Sequence, residues 1–271
     1  MTHVSNMSKT SNTPRAAIRL RFEKLVAEQG LLKVIAGIDN TDLTEVTALV
    51  EACEKHAVPA IDIAANSTLI GMVRPLTTAI LFASSVDPMT LASAARQGVD
   101  VVELGNFDAL YKRGEFYSAE QVLQLAKETV ELIGDMALIS VTIPGHLSDA
   151  GQLAMAKELE NLGVDVIQTE GTARLVSETP SVKMLNDAEK FETTLKHVKT
   201  LTKATRLPIM AASGISESNL TEALQAGACG VGIGSAVRRA NNMELAIANT
   251  VRTYNDYLAA TAEEPALMAA V

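Results

Sequence analysis

The sequence predicts an α/β protein, a single (β/α)8 TIM barrel with an extra helix at its N-terminus. Three observations carry that prediction. Eight short apolar runs recur along the 271 residues, helical patterns separate them, and four of the runs share one repeating unit. The unit reads KHAVPAIDIAAN (55–66), RQGVDVVELGN (96–106), NLGVDVIQTEG (161–171) and QAGACGVGIGS (225–235). In three of the four a glycine closes an amphipathic segment, as expected just past a helix C-terminus, and a β-rich run follows.

The remaining runs are LLKVIAGID (31–39), AILFASSV (79–86), MALISVTIP (136–144) and PIMAASGI (208–215). Helical spacing precedes or follows them, as in Leu43, Val46, Leu49, Val50 and Cys53, or in Val122, Leu123, Leu125, Ala126, Leu132 and Ile133. Near-continuous apolar strands alternating with helices imply a parallel sheet covered on its outer face. Eight such units in a chain of this length imply closure into a barrel; an open doubly wound sheet is the alternative. We read residues 1–13 as a disordered leader, 14–260 as the barrel with its N-terminal helix, and 261–271 as a frayed tail. The first 21 residues lack acids, so their composition also suits an organellar transit peptide.

Composition narrows the partners. The net charge is −9 and aromatic residues make up 3% with no Trp, which argues against nucleic acid. No apolar run approaches the ~20 residues of a membrane span. Cys53 and Cys229 sit in apolar stretches, as small buried hydrophobes in a reducing compartment do. Homo-oligomerisation is left open.

Strand register follows from the repeat. Five residues after the unit's first anchor lie Asp62, Glu103, Gln168 and Gly232; seven after it lie Ala64, Gly105, Glu170 and Gly234. The residues between, such as Ile61, Ile63, Val102, Leu104, Val231 and Ile233, are bulky and apolar. Because side chains alternate across a strand, the apolar set faces the helices. Asp62, Glu103, Thr142 and Gln168 then face the barrel interior, with Glu170 nearest the C-terminal mouth where barrel enzymes work.

The bare stretch AGACGVGIGSAVRR (226–239) leaves backbone N–H groups open to a ligand. Gly234 precedes Ser235 and a segment able to start a helix, and the seventh unit ends in Ser213-Gly214. Helix N-termini favour anions, and barrel phosphate sites are built from the loops after strands seven and eight. Ser213, Gly214, Gly232, Gly234 and Ser235 are therefore read as a phosphate clamp. Close packing by small residues is the alternative. Arg238 and Arg239 diverge on a helix, so at most one reaches the clamp.

With these segments placed, the chain resembles the hypothetical chloroplast reading frame twenty-three family of plastids and cyanobacteria. The likeness rests on LKVIAGIDN (32–40), AIDIAAN (60–66), VVELGNFDALY (101–111), VTIPGH (141–146), VIQTEG (166–171), MAASGIS (210–216) and AGACGVGIGSAV (226–237). One departure is Gly145, between Pro144 and His146, where the family is expected to read Pro-His. The resemblance implies an aldolase-type, phosphate-binding barrel in cyanobacterial cytoplasm or plastid stroma, and brings no established reaction.

Three residues are catalytic candidates. Glu170, at the mouth and across from the clamp, fits a general acid or base. His146, just past the fifth strand, titrates in the useful range. Lys33 is the one lysine inside a predicted strand; it could act as a base or Schiff-base former, or be held in an ion pair near the stability face. Schiff-base aldolases of this class carry their lysine on the sixth strand, where this chain has Gln168 and Thr169. His56 and His197 read as surface or capping residues. Asn40, Asn106 and Asp108 could meet substrate hydroxyls or shape turns. Asp62 and Glu103 lie deep and Glu170 shallow, which argues against a shared metal. The loop 172–185, with Arg174, reads as a lid.

These features suggest an enzyme acting on a small phosphorylated metabolite, of the isomerase, epimerase or lyase type. FMN held through its phosphate is an alternative, as is a non-catalytic sensor or scaffold that keeps the phosphate site.

Overall fold

The computed structural model describes residues 14–111, 113–171, 173–175 and 182–268. Eight parallel strands close into a barrel: β1 (Leu31–Ile35), β2 (Ala60–Ala64), β3 (Ile80–Ser85), β4 (Val101–Leu104), β5 (Leu138–Thr142), β6 (Val166–Gln168), β7 (Ile209–Ala212) and β8 (Gly230–Ile233). Each pairs with its sequence neighbours and β8 pairs with β1, so the open-sheet alternative is excluded. Closure explains one glycine. Leu31 lies opposite Gly230 in the seam, and a Cβ at 230 would run into the Leu31 backbone.

The helices are α1 (Pro14–Ala27), α2 (Leu43–Lys55), α3 (Ser67–Val73), α4 (Pro88–Arg96), α5 (Asp108–Tyr111) and α6 (Ala119–Ile133). After them come α7 (Asp149–Leu162), α8 (Asp187–Leu201), α9 (Leu220–Gln225), α10 (Ser235–Arg238) and α11 (Met243–Met268). The chain turns from strand to helix where the sequence offers a side-chain acceptor. Asp42, Asn66, Asp87, Ser118, Ser148 and Asn186 each accept a backbone N–H from the first turn. Such caps are worth about 1 kcal/mol apiece.

Strand alternation is as the repeat predicts. Ile61, Ile63, Val102, Leu104, Val231 and Ile233 pack in the layer between strands and helices. Inside, the lower barrel is apolar: Leu31, Ile80, Phe82, Val101, Leu138, Val166 and Met210 form one cluster, and Phe22 of α1 joins it from below. α1 therefore plugs the N-terminal end, and it is fixed there by Arg15 and Arg19, which both pair with Asp165.

Two segments differ from the sequence reading. The stretch expected to be a loop at 172–185 holds an antiparallel hairpin, Ala173–Leu175 against Val182–Met184. Residues 172 and 176–181 and the Arg174 side chain, on which the lid reading rested, lie outside the described residues, as do the leader 1–13 and residues 269–271. The final helix runs to Met268, through most of the segment expected to fray.

Candidate active site

The barrel interior has two polar levels. In the deeper one, Lys33 is fully buried and its Nζ lies 2.6 Å from Glu103 Oε2 and 4.4 Å from the centre of the Phe82 ring. Ser140 Oγ donates to the same carboxylate oxygen at 2.9 Å, and Gln168 Nε2 donates to Glu103 Oε1 at 2.7 Å. Alongside, Asp62 accepts from Ser84 Oγ (2.5 Å) and Asn106 Nδ2 (3.1 Å). Burial pushes the Asp62 carboxyl above the usual carboxylate range, and the Lys33 charge opposes that shift.

Above this level opens a cavity of about 180 Å³. Its lining includes Thr142, Gln168, Glu170, Ser213, Gly214, Gly232, Gly234 and Ser235, so eight of the sequence-predicted residues share one mouth. Glu170 is 4% exposed. Its Oε2 accepts from the Tyr111 hydroxyl at 2.5 Å and from the Gly145 N–H at 3.0 Å. Its Oε1 has no hydrogen-bond partner among the described residues, although the Asp108 backbone N–H also favours the charged form. Among the described residues no cationic side chain pairs with it. Burial first, and the nearby Asp108 charge second, push the Glu170 carboxyl up to about 8.

The clamp region is built of bare and bent backbone. Ser213 and Gly214 both adopt left-handed φ, +82° and +73°. A Cβ at 214 would lie 2.5 Å from the Phe191 backbone N, so α8 packs directly on this turn. Left-handed backbone at a non-glycine residue costs on the order of 1 kcal/mol and clusters at functional sites. Arg238 lines the mouth beside Gly37, and Arg239 turns outward to Asp187 Oδ2 at 2.7 Å. Asp108 lines the mouth with its side chain exposed to solvent there. Desolvation raises its pKa against the opposing charges of Lys190 and Arg238.

Asn106 and Asp108 also line the cavity, whereas Lys33, Asp62, Glu103, His146 and Asn40 lie off its wall. Lys33, Asp62 and Glu103 sit beneath it, with Lys33 held in the ion pair that the sequence offered as its alternative role. His146 stands behind Glu170, its Nδ1 3.3 Å from the Tyr111 hydroxyl, and burial lowers its pKa. His197 corrects the surface reading. It is buried, with Nδ1 3.1 Å from the Glu170 carbonyl and Nε2 2.8 Å from Gln152 Nε2. A carbonyl only accepts, so Nδ1 carries the proton and Nε2 accepts from Gln152. Asn40 shapes a turn, its Oδ1 accepting from the Asp42 N–H. Tyr111 and Lys190 escaped the sequence reading. Tyr111 sits in a four-residue helix shortly after β4, and Lys190 of α8 lines the mouth. Among the described residues no group of three or more His, Cys, Asp and Glu side chains is disposed to hold a metal ion.

Residues 18–263 match the family described as a protein of unknown function, DUF561. The chain belongs to that family. Its curated relatives carry the name uncharacterized protein ycf23, in agreement with the resemblance read from the motifs. The protein of Antithamnion sp. is 32% identical over 236 residues, covering 83% of this chain and 85% of that one. The Cyanophora paradoxa protein is 32% identical over 240 residues, covering 88% and 97%. Among solved structures, 3-hexulose-6-phosphate synthase aligns with a TM-score of 0.57 at 16% identity, over 82% of this chain and 99% of that one. Thiamine phosphate pyrophosphorylase from Pyrococcus furiosus aligns with a TM-score of 0.56 at 18% identity, over 86% and 99%. A structure described as native KDPGal gives 0.59 at 16% identity, over 84% and 95%. At such identities the likeness establishes the barrel fold and no more. No helix among the described residues is long and apolar enough to cross a membrane.

Proposed function

We propose that the mouth binds a small phosphorylated metabolite, its phosphate on Ser213, Gly214, Gly234 and Ser235 with Arg238 and Lys190 as counter-charges. At the other end of the ligand, Glu170 exchanges a proton through Oε1, as an isomerase, epimerase or lyase requires. One observation carries this reading: a buried carboxyl that has, among the described residues, no cationic partner and one oxygen without a hydrogen bond lines the same cavity as the glycine-rich turns. With its pKa near 8, Glu170 is protonated at pH 7 and begins as a donor, yet it loses its proton at little cost. Oε2 is already occupied by two donors, which leaves Oε1 as the oxygen free to exchange the proton. His146 acts through the Tyr111 hydroxyl as a positioning residue rather than on the ligand.

Two further observations support the ligand class. A cavity of about 180 Å³ is smaller than the ~300 Å³ at which drug-sized sites begin, which favours a few-carbon phosphate over FMN. Structural neighbours include enzymes named for phosphorylated compounds. The occurrence of the family in Antithamnion, Porphyra purpurea and Cyanophora paradoxa supports a photosynthetic setting, plastid stroma or cyanobacterial cytoplasm.

The test is calorimetric titration with inorganic phosphate and phosphate monoesters, with mass analysis of anything the purified protein releases on denaturation. Binding of phosphate, and a colourless phosphorylated compound released, are expected. Once a substrate is found, Glu170→Gln should lose turnover by 100-fold or more and keep its ligand affinity. A yellow chromophore would redirect the reading to FMN. Absence of any phosphate binding would sink it.

A further inference from the structure

The floor of the mouth holds a second unpartnered atom. Gln168 is 1% exposed, and its Oε1 has no hydrogen-bond partner among the described residues. Its orientation is fixed by chemistry. The amide nitrogen lies 2.7 Å from Glu103 Oε1, and a carboxylate held by Lys33 only accepts, so that side of the amide must be the NH2. Thr142 Oγ1 at 3.2 Å and Asn106 Oδ1 at 3.4 Å lie on the same side. Rotating the amide would set its oxygen against the carboxylate. Oε1 therefore points to the other side, toward Gly232.

Gly232 keeps that crowded direction clear of a side chain. A Cβ there would stand 3.4 Å from Gln168 Oε1, 3.3 Å from Ala212 Cβ and 3.0 Å from Ile35 Cδ1. Glycine at 232 thus keeps a slot in the cavity wall, bounded by two apolar side chains and ending on one fixed acceptor. Donors are what such an acceptor recognises, and a buried acceptor left unmatched is costly.

We propose that Gln168 is a specificity-determining residue that takes a hydroxyl of a polyol phosphate in the slot beside Gly232. The inference rests on the phosphate reading of the mouth. A ligand with an O–H at that depth satisfies Oε1, whereas one that presents a methylene strands it. Glu103 and Lys33 act on the ligand only by holding the Gln168 amide in place.

The probes are inorganic phosphate and the linear polyol monophosphates of three, four and five carbons, each paired with the alkyl phosphate of equal length. Calorimetry on the whole chain should show inorganic phosphate binding. At one chain length or more the polyol phosphate should bind at least about ten-fold tighter than its alkyl partner. That ratio should fall to within two-fold in Gln168→Met, which keeps the volume and removes the acceptor. Gly232→Ala fills the slot while leaving the amide network intact, so it should collapse the ratio too, and it carries the test if Gln168→Met does not fold. Phosphate binding with every ratio within two-fold overturns the role of Gln168 and leaves the clamp standing. A ratio that survives both variants overturns it as well. Failure of inorganic phosphate and of every monoester to bind overturns the phosphate reading itself.

Discussion

Two buried carboxylates, Glu103 and Glu170, differ in what faces them. Glu103 meets the Lys33 ammonium at 2.6 Å and two further donors. Glu170 meets a phenol and a backbone amide, and its pKa rises to about 8. The deep carboxylate is therefore a charge that the fold has neutralised, and it holds the shape of the interior. The shallow one is an acid that the fold has left neutral by protonation, beside an open cavity. Depth alone does not set the state of a buried carboxyl; among the described residues, what differs between these two is a cationic partner.

The largest break in that comparison comes from Lys33→Met. Removing the cation leaves Glu103 charged in an apolar interior, and breaking a buried pair from one side costs about 3–5 kcal/mol. Chemical denaturation at pH 7 should show that loss. A change below about 1 kcal/mol would mean that the pair contributes little to the fold.

Glu170→Gln should behave in the opposite way, with a sign that depends on pH. The folded pKa of Glu170 lies above its ordinary value of 4.5, so the native state keeps a proton that the unfolded chain releases. Wild-type stability therefore falls from this group as pH rises from about 4.5 to about 8, at about 1.4 kcal/mol per unit, and levels off beyond. Glutamine has no proton to keep. The variant should match wild type near pH 4.5 and exceed it by about 4 kcal/mol at pH 8. Parallel stability curves for the two proteins would show that Glu170 is ionised in the fold.

Tyr111→Phe sharpens the same contrast with a smaller effect. The Tyr111 hydroxyl favours the charged form of Glu170, so its loss should move the Glu170 titration upward and cost about 1 kcal/mol of stability at pH 7. A downward shift would remove Tyr111 from the account. The smallest effect belongs to Arg239→Ala at the rim. Its ion pair with Asp187 is exposed on both sides, and denaturation should register less than about 0.5 kcal/mol. A larger loss would make that rim pair part of what holds α8 against the mouth.

The sequence made some of this site legible and hid the rest for physical reasons. The inward positions of Asp62, Glu103 and Gln168 could be read because a strand alternates every residue and the repeat supplied a common origin for counting. Lys33 was placed on the correct face by the same parity, but parity says nothing about depth, and its partner lies seventy residues away. His197 looked like a surface residue because α8 reads as amphipathic from its local pattern, whereas its burial comes from packing on the Glu170 backbone. Tyr111 was invisible for a similar reason. Its role depends on a hydroxyl that meets a residue fifty-nine positions on, and no local spacing encodes that meeting.

The most direct test of the account is the titration of Glu170 itself, followed through its side-chain carboxyl carbon by NMR in wild type, with Glu170→Gln assigning the signal. A midpoint near 8, displaced when inorganic phosphate is added, is expected. A midpoint between about 4 and 5, unmoved by phosphate, would contradict it, because the mouth would then hold an ordinary ionised carboxylate with no proton to give at neutral pH.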